Sequence, residues 1–334
     1  MKLKKRVVSA VSAAGASVLL LAGCAGPSSE AQTMVTVVKL SGVGWFDRME
    51  EGVAEFAAET GIDARQEGAD DASPEKQLAL IQNILAQSPT GIVVVPNSPE
   101  SLEDIFKQAR DAGVIVVTHE AAGMTNVDAD IEAFDNTWYG AQIMTNLAAC
   151  MGEKGKYVSF VGGLTAKTHM TWVEGAYQEQ KANFPNLVRV EDPIESKEDE
   201  TVAYERAKEI LAKYPDIKGF QGSAGTDVAG IGRAVQEAGL QDQVCVMGTS
   251  IPSVASKYLE DGSIDKIFFW DPALAGKAAL KMAQILADGG KITEGTDLGI
   301  VGYNSLKKLD GYDNVWAGEA AVIVDMSNVS DYNF

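Results

Sequence analysis

Histidine is almost missing from this chain: two residues, His119 and His169, in 334. Neither stands at a spacing that makes a metal site or a catalytic triad. Cysteine is nearly as scarce, with three residues and no C-x-x-C pair. No zinc or redox motif can be written from them, and neither a metal nor a cofactor is expected. Phosphate-loop and nucleophile-elbow patterns are absent, and Gly42-Val43-Gly44-Trp45-Phe46 lacks the third glycine of a dinucleotide fingerprint. Basic residues are outnumbered 28 to 47, for a net charge of −19. So acidic a chain lacks the basic footprint that nucleic acid requires, and the charge serves solubility. Glu120 and Asp271 form a conceivable glycosidase pair, but nothing in the sequence fixes their separation. The chain therefore reads as a binding protein, not an enzyme.

What is present begins with a leader. Lys2, Lys4, Lys5 and Arg6 precede the uncharged apolar run 7–22. That run is slightly short for a membrane span, which takes about 17–25 apolar residues, and it reads as a secretory signal. Leu21-Ala22-Gly23-Cys24 ends it. This resembles the lipobox of bacterial lipoproteins, in which the cysteine becomes the lipid-bearing N-terminus. Residues 1–23 are thus expected to be a lipoprotein signal peptide, Cys24 the lipidated residue, and 24–33 a flexible tether rich in small residues. The expected location is the outer face of the bacterial cytoplasmic membrane, or the periplasm. Cys150 lies in a helical run and Cys245 in the apolar strand VCVMG. An exported protein can bond them, but two separate buried thiols are favoured.

Past the tether, short β-branched runs alternate with amphipathic ones. Residues 35–39, 62–66, 91–95, 114–118, 157–161, 187–190, 217–221, 244–247 and 264–269 read as strands. Ser73-Pro74 and Ser98-Pro99 open helices, with serine as N-cap and proline in the first turn. Gly61 closes the helix in which Phe46, Met49, Val53 and Phe56 recur. Alternation of this kind implies parallel sheets covered on both faces. There are too many strands for one sheet, so two doubly wound α/β lobes are expected, joined near residues 134–139.

In open parallel sheets ligands bind beyond the carboxyl ends of the strands. Segments 39–46, 96–97, 119–120, 164–172, 222–227, 249–252 and 270–271 occupy those ends. They are rich in rings and hydrogen-bonding groups, which a sugar's apolar faces and hydroxyl rim require. Trp45, Phe46, Trp172 and Trp270 offer surfaces. Lys39 donates, Glu120 and Asp271 accept, and Thr168, His169 and Ser250 can do either. Phe46 and Trp172 read equally well as helix core. Adjacent strand residues face opposite ways, so of His119 and Glu120 only one enters the cleft, and Glu120 is chosen. Trp138 reads as interdomain packing, and Asp47 and Arg48 as solvated helix residues.

The order of motifs resembles the ribose-binding (type I) family of periplasmic sugar-binding proteins that feed ABC importers. It is most similar to the subgroup binding autoinducer-2 and rhamnose. The matching stretches are VVKLSGVGWF (37–46), GTSIPSV (248–254), YLEDGSIDKIFFWDPALAG (258–276) and VSDYNF (329–334). The resemblance covers nearly all of the chain past the tether. It implies two Rossmann-like lobes joined by a three-strand hinge, with 34–137 plus 272–300 in the N-terminal lobe and 138–271 plus 301–334 in the C-terminal lobe. It implies a monomer that closes on one small ligand (a monosaccharide, a deoxysugar such as rhamnose, a polyol or autoinducer-2) and delivers it to an importer permease. A sensory receptor docking on a membrane signalling protein is the alternative. By that resemblance Lys39 matches a ligand-contacting lysine of the autoinducer-2 receptors, Glu120 stands where the family has a ligand-binding aspartate, and Ala224 matches a position that contacts ligand through backbone or a small side chain. Thr168-His169 stands where autoinducer-2 receptors carry Asp-Gln, and Glu120 is longer than the aspartate it replaces. Both departures favour a sugar or polyol at least as much as autoinducer-2.

Overall fold

The computed structural model describes residues 32–334. The expected signal peptide 1–23, Cys24 and most of the expected tether 24–33 lie outside the described residues. The first lobe opens with β1 (Thr33–Val38), α1 (Gly44–Thr60), β2 (Asp63–Gly68), α2 (Pro74–Leu85), β3 (Gly91–Val94), α3 (Pro99–Asp111), β4 (Ile115–His119) and β5 (Ala129–Glu132). The second continues with α4 (Asn136–Cys150), β6 (Gly155–Val161), α5 (Lys167–Asn183), β7 (Leu187–Arg189), β8 (Ile194–Glu195), α6 (Glu200–Lys213), β9 (Ile217–Gly222), α7 (Asp227–Ala238), β10 (Cys245–Thr249), α8 (Pro252–Glu260) and β11 (Lys266–Phe269). Then come α9 (Pro272–Ala287), β12 (Lys307–Lys308), β13 (Val315–Ala317) and β14 (Val322–Val324).

Two sheets result. One runs β12-β13-β5-β4-β3-β1-β2, and the other β14-β11-β10-β9-β6-β7 with β8 beside β6. Pairing is parallel except where β12 meets β13 and β14 meets β11. Central strands such as β1, β3 and β10 are buried on both faces, which is why they read as unbroken apolar runs. Ser73 Oγ accepts the Lys76 N–H at 3.2 Å, as its Ser-Pro signature predicts. Ser98 holds the same extended cap backbone but makes no side-chain cap bond. Gly61 ends α1 at φ 73°, where its N–H returns to the Ala57 carbonyl.

The chain passes between the sheets three times: at 133–135, after β5; at 270–271, from β11 into α9, which packs on β3 and β4; and at 318–321, between β13 and β14. Two glycines set how the helices next to these crossings approach. A Cβ at Gly140 of α4 would overlap the Trp172 carbonyl of α5, and one at Gly52 of α1 would overlap the Ala273 carbonyl of α9. Close approach there fixes the backbone under Trp172 and beside Asp271.

Two expectations are corrected. Residues 301–334 do not all belong with the second lobe: β13 pairs with β5 through Val315↔Asp130 and Ala317↔Glu132, so β12 and β13 extend the first sheet. Only β14, past the third crossing, joins the second. Strands of two or three residues complete themselves through long-range pairing and leave no periodicity to read. Cys150 and Cys245 are not separate thiols but a disulfide, with Cα atoms 6.2 Å apart across 95 residues of sequence. Helix α4 packs on β10, which brings its last residue beside the first residue of that strand. Among the described residues no helix is long and apolar enough to cross a membrane.

Candidate functional site

The carboxyl ends of both sheets meet around one small cavity between the lobes. Lys39, directly after β1, lies at its centre. Burying an ammonium is costly unless it is paired and hydrogen-bonded. Its Nζ donates to Glu120 Oε2 at 2.7 Å and sits 3.5 Å from Glu198 Oε1. All three residues are at most 9% exposed. Burial alone lowers the Lys39 pKa, but the pull of Glu120 and then Glu198 outweighs it, and the net shift is upward. Lys39 is therefore charged. Its backbone is pinned as well: Asn97 Nδ2 donates to the Lys39 carbonyl at 2.9 Å. Buried Gln77 of α2 donates to the carbonyls of Val38 and Val95 and accepts the Asn97 N–H.

Glu120 follows β4 in the left-handed region, at φ 60°. That region is costly for a residue with a side chain and is retained where surrounding structure enforces it. The turn sends Glu120 into the cavity and leaves His119 behind it. His119 Nδ1 lies 2.6 Å from the Ile131 carbonyl, which can only accept, so this nitrogen carries the proton. Its Nε2 then accepts the Trp270 indole N–H at 3.1 Å. Burial holds the His119 pKa below its ordinary value, consistent with a neutral ring that orients Trp270.

From the second lobe, α5 brings His169. Its Nδ1 accepts the Gly162 N–H at 3.1 Å. Burial first, and the Lys39 charge second, hold its pKa well below the ordinary range, so the ring is neutral and its proton sits on Nε2. That N–H lies 3.3 Å from Lys39 Nζ, which also only donates. Two donors thus converge on one point, with the Glu120 and Glu198 carboxylates beside them. Trp45, Trp172 and Trp270 wall this polar centre. Trp270 stands edge-on to Trp45 at 4.7 Å and to Trp172 at 5.7 Å between centroids. Trp172 Nε1 is held by Asn136 Oδ1 at 2.7 Å. Ser223 Oγ and Thr226 Oγ1 also line the cavity and are buried without a partner among the described residues.

Seven of the eleven predicted ligand residues line the cavity: Lys39, Trp45, Phe46, Glu120, His169, Trp172 and Trp270. Four do not. Thr168 is buried next to His169 but is not among the lining residues, and Ala224 lies between two lining residues, Ser223 and Gly225. Ser250 donates to the Gly225 carbonyl at 2.7 Å, while Thr249 takes the cavity position. Asp271 caps α9, accepting the Ala273 N–H at 2.9 Å, and takes Arg48 in a two-pronged pair at 2.9 and 2.7 Å. Arg48, expected in solvent, thus holds the second crossing and also lies 4.3 Å over the Phe334 ring. Trp138, expected to pack between domains, is 47% exposed. Glu198, Ser223, Thr226 and Thr249 were not singled out. The last three fall inside strand-end segments that were named, whereas Glu198 follows a two-residue strand that no pattern marks.

An aromatic and hydrogen-bonding cavity between two α/β lobes, crossed three times by the chain, defines a two-lobed solute-binding protein. The chain belongs to the family of the periplasmic binding protein domain, whose model matches residues 34–291. This is the ribose-binding type that the motifs resemble. The chain is 25% identical to the D-allose-binding periplasmic protein of Escherichia coli over 274 residues, which is 78% of this chain and 86% of that protein. It is 28% identical to the xylitol-binding protein of Mycolicibacterium smegmatis over 264 residues, 76% of this chain and 71% of that one. Similar solved structures include LsrB from Clostridium saccharobutylicum in complex with AI-2, with a TM-score of 0.84, 23% identity, and coverage of 90% of this chain and 100% of that one. A solute-binding protein from Clostridium phytofermentas with bound L-rhamnose has a TM-score of 0.83 and 18% identity, covering 91% and 98%. These relatives are binding proteins, not enzymes.

Beneath the cavity floor, Asp227 accepts the N–H groups of Ser223 and Ala224 at 3.0 and 2.8 Å. Burial nonetheless pushes its carboxyl up to about 7, from an ordinary 3.8. An acid whose folded pKa lies above its unfolded one lends stability that is complete below the unfolded value and is lost as pH rises towards the folded one. Asp227→Asn removes that titration. Urea unfolding of parent and variant should therefore show the difference moving by about 2 kcal/mol in the variant's favour between pH 5 and 8. A difference that stays constant over this range contradicts the assignment.

Proposed function

We propose that this chain is the exported, lipid-anchored binding protein of an ABC importer, and that it encloses one small polyhydroxylated molecule, a sugar or polyol, in the cavity around Lys39. The observation that carries the reading is the convergence of two buried donors, Lys39 Nζ and His169 Nε2, beside two carboxylates inside a wall of three tryptophans. A hydroxyl oxygen placed between the donors satisfies both, and its proton reaches a carboxylate. The ring carbons of a sugar meet the indoles. Three of the proteins named above carry D-allose, xylitol or L-rhamnose in their names or complexes, all of this chemical kind, and the fourth holds AI-2. Closure follows from the cross-lobe contacts. Lys39 and Glu120 come from the first lobe and His169 and Glu198 from the second, so a ligand held by all four draws the lobes together. The closed shape is what a membrane permease would recognise, and the tether leaving Cys24 would keep the protein at the membrane surface.

Calorimetric titration with aldoses, deoxysugars, pentitols and autoinducer-2 should find a one-to-one binder that changes the intrinsic tryptophan fluorescence. Lys39→Ala and Trp270→Ala should each weaken that binder at least tenfold, about 1.4 kcal/mol or more. A panel without a binder, or two variants that bind like the parent, overturns the reading. Cells fed labelled palmitate should label the parent protein and leave Cys24→Ser unlabelled; an unlabelled parent rules out the anchor.

A further inference from the structure

The second carboxylate of the cavity has no counterpart among the residues that pattern or resemblance singled out, and its setting is unusual. Glu198 sits between β8 and α6 at φ 58°, directly after Lys197 at φ 60°. Two consecutive left-handed residues with side chains are disfavoured, and such backbone is kept where the surrounding packing over-determines it. Here it turns Glu198 inward. The carboxylate lies along the backbone of Gly162, where any Cβ would overlap it. It therefore reaches the cavity only because residue 162 has no side chain. It also faces the neighbouring open part of the cleft, lined by Ser73, Asn97 and Thr165.

The charges lining the cavity do not balance. Lys39 is the one cation among the lining residues, and Glu120 takes its shortest contact, 2.7 Å against 3.5 Å for Glu198. His169 is neutral. Burial raises the Glu198 pKa, Lys39 only partly opposes this, and Glu120 adds to it. Glu198 is thus a buried acceptor whose one cationic partner, Lys39, is shared with Glu120. We propose that Glu198 is a specificity-determining residue of the cavity, which accepts a hydrogen bond from a hydroxyl or amine of the ligand and turns away sugars bearing a carboxylate or phosphate. A neutral or amino-substituted polyol supplies the missing donor, whereas an anion meets two carboxylates set against a single ammonium. The inference rests on the receptor reading above and narrows its ligand class.

The test is calorimetry of the parent, Glu198→Gln and Gly162→Ala. The panel comprises aldohexoses, 6-deoxyhexoses and pentitols, together with hexosamines and the uronates, aldonates and phosphates of the same sugars. Circular dichroism and thermal melting establish that each variant is folded. The parent should bind its best neutral or amino ligand at least 100-fold more tightly than the matching anion. Glu198→Gln should lose at least tenfold of that affinity and narrow the gap to the anion at least tenfold. Gly162→Ala, which displaces the carboxylate without changing charge, should weaken the same ligand. A parent that accepts the anion equally, or folded variants that keep both the affinity and the rejection, overturns the inference and leaves the receptor reading intact. A parent that binds no neutral or amino member overturns the receptor reading and this inference with it.

Discussion

One buried ammonium organises the molecule. Lys39 has left water, so its charge must be met by protein, and the groups that meet it come from both lobes. Glu120 belongs to its own sheet. Glu198 and His169 reach it across the cleft. The ion cluster is therefore both the centre of the cavity and a joint between the lobes. Its supporting residues are arranged accordingly: Gln77 and Asn97 fix the end of β1, and Gly162 makes room for Glu198 while its N–H sets the His169 tautomer.

The aromatic wall is fixed by separate means. Trp172 is held by Asn136 and by the close packing of α4 on α5 at Gly140. Trp270 is held by His119, and the residue after it caps α9 and grips Arg48 of α1. Phe134, in the first crossing, stacks on Tyr139 at 4.1 Å and meets Trp270 edge-on at 5.2 Å. One crossing thus carries a ring of the cavity wall, Trp270, and another carries the ring that packs against it, Phe134. Opening about these crossings would move the wall and the ion cluster together, which couples ligand capture to the relative position of the lobes.

Much of this was legible in the sequence because parallel strands advertise themselves. A strand buried on both faces must be apolar throughout, and the residue after it stands at the binding edge. Lys39, Glu120 and Trp270 were found that way. The pattern fails where phase matters. Thr249 and Ser250 both follow β10, and nothing in the run says which one faces inward. Asp271 was a legible miss: Asp271-Pro272 is the same cap signature as Ser73-Pro74, and an N-cap carboxylate serves its helix before it serves a ligand. Glu198 and the Cys150–Cys245 disulfide were out of reach. One depends on a left-handed backbone after a two-residue strand, the other on helix packing that joins residues 95 apart. Strands β12 to β14 were unreadable for a similar reason, since two or three residues hold no periodicity and only their partners define them.

The most direct measurement is a crystal structure of the protein grown with its tightest-binding sugar. One ligand molecule should lie among Trp45, Trp172 and Trp270, with a single oxygen within about 3.2 Å of both Lys39 Nζ and His169 Nε2. A ligand bound elsewhere, or a Lys39 side chain directed to solvent with the sugar in place, would contradict the central role given to this buried charge.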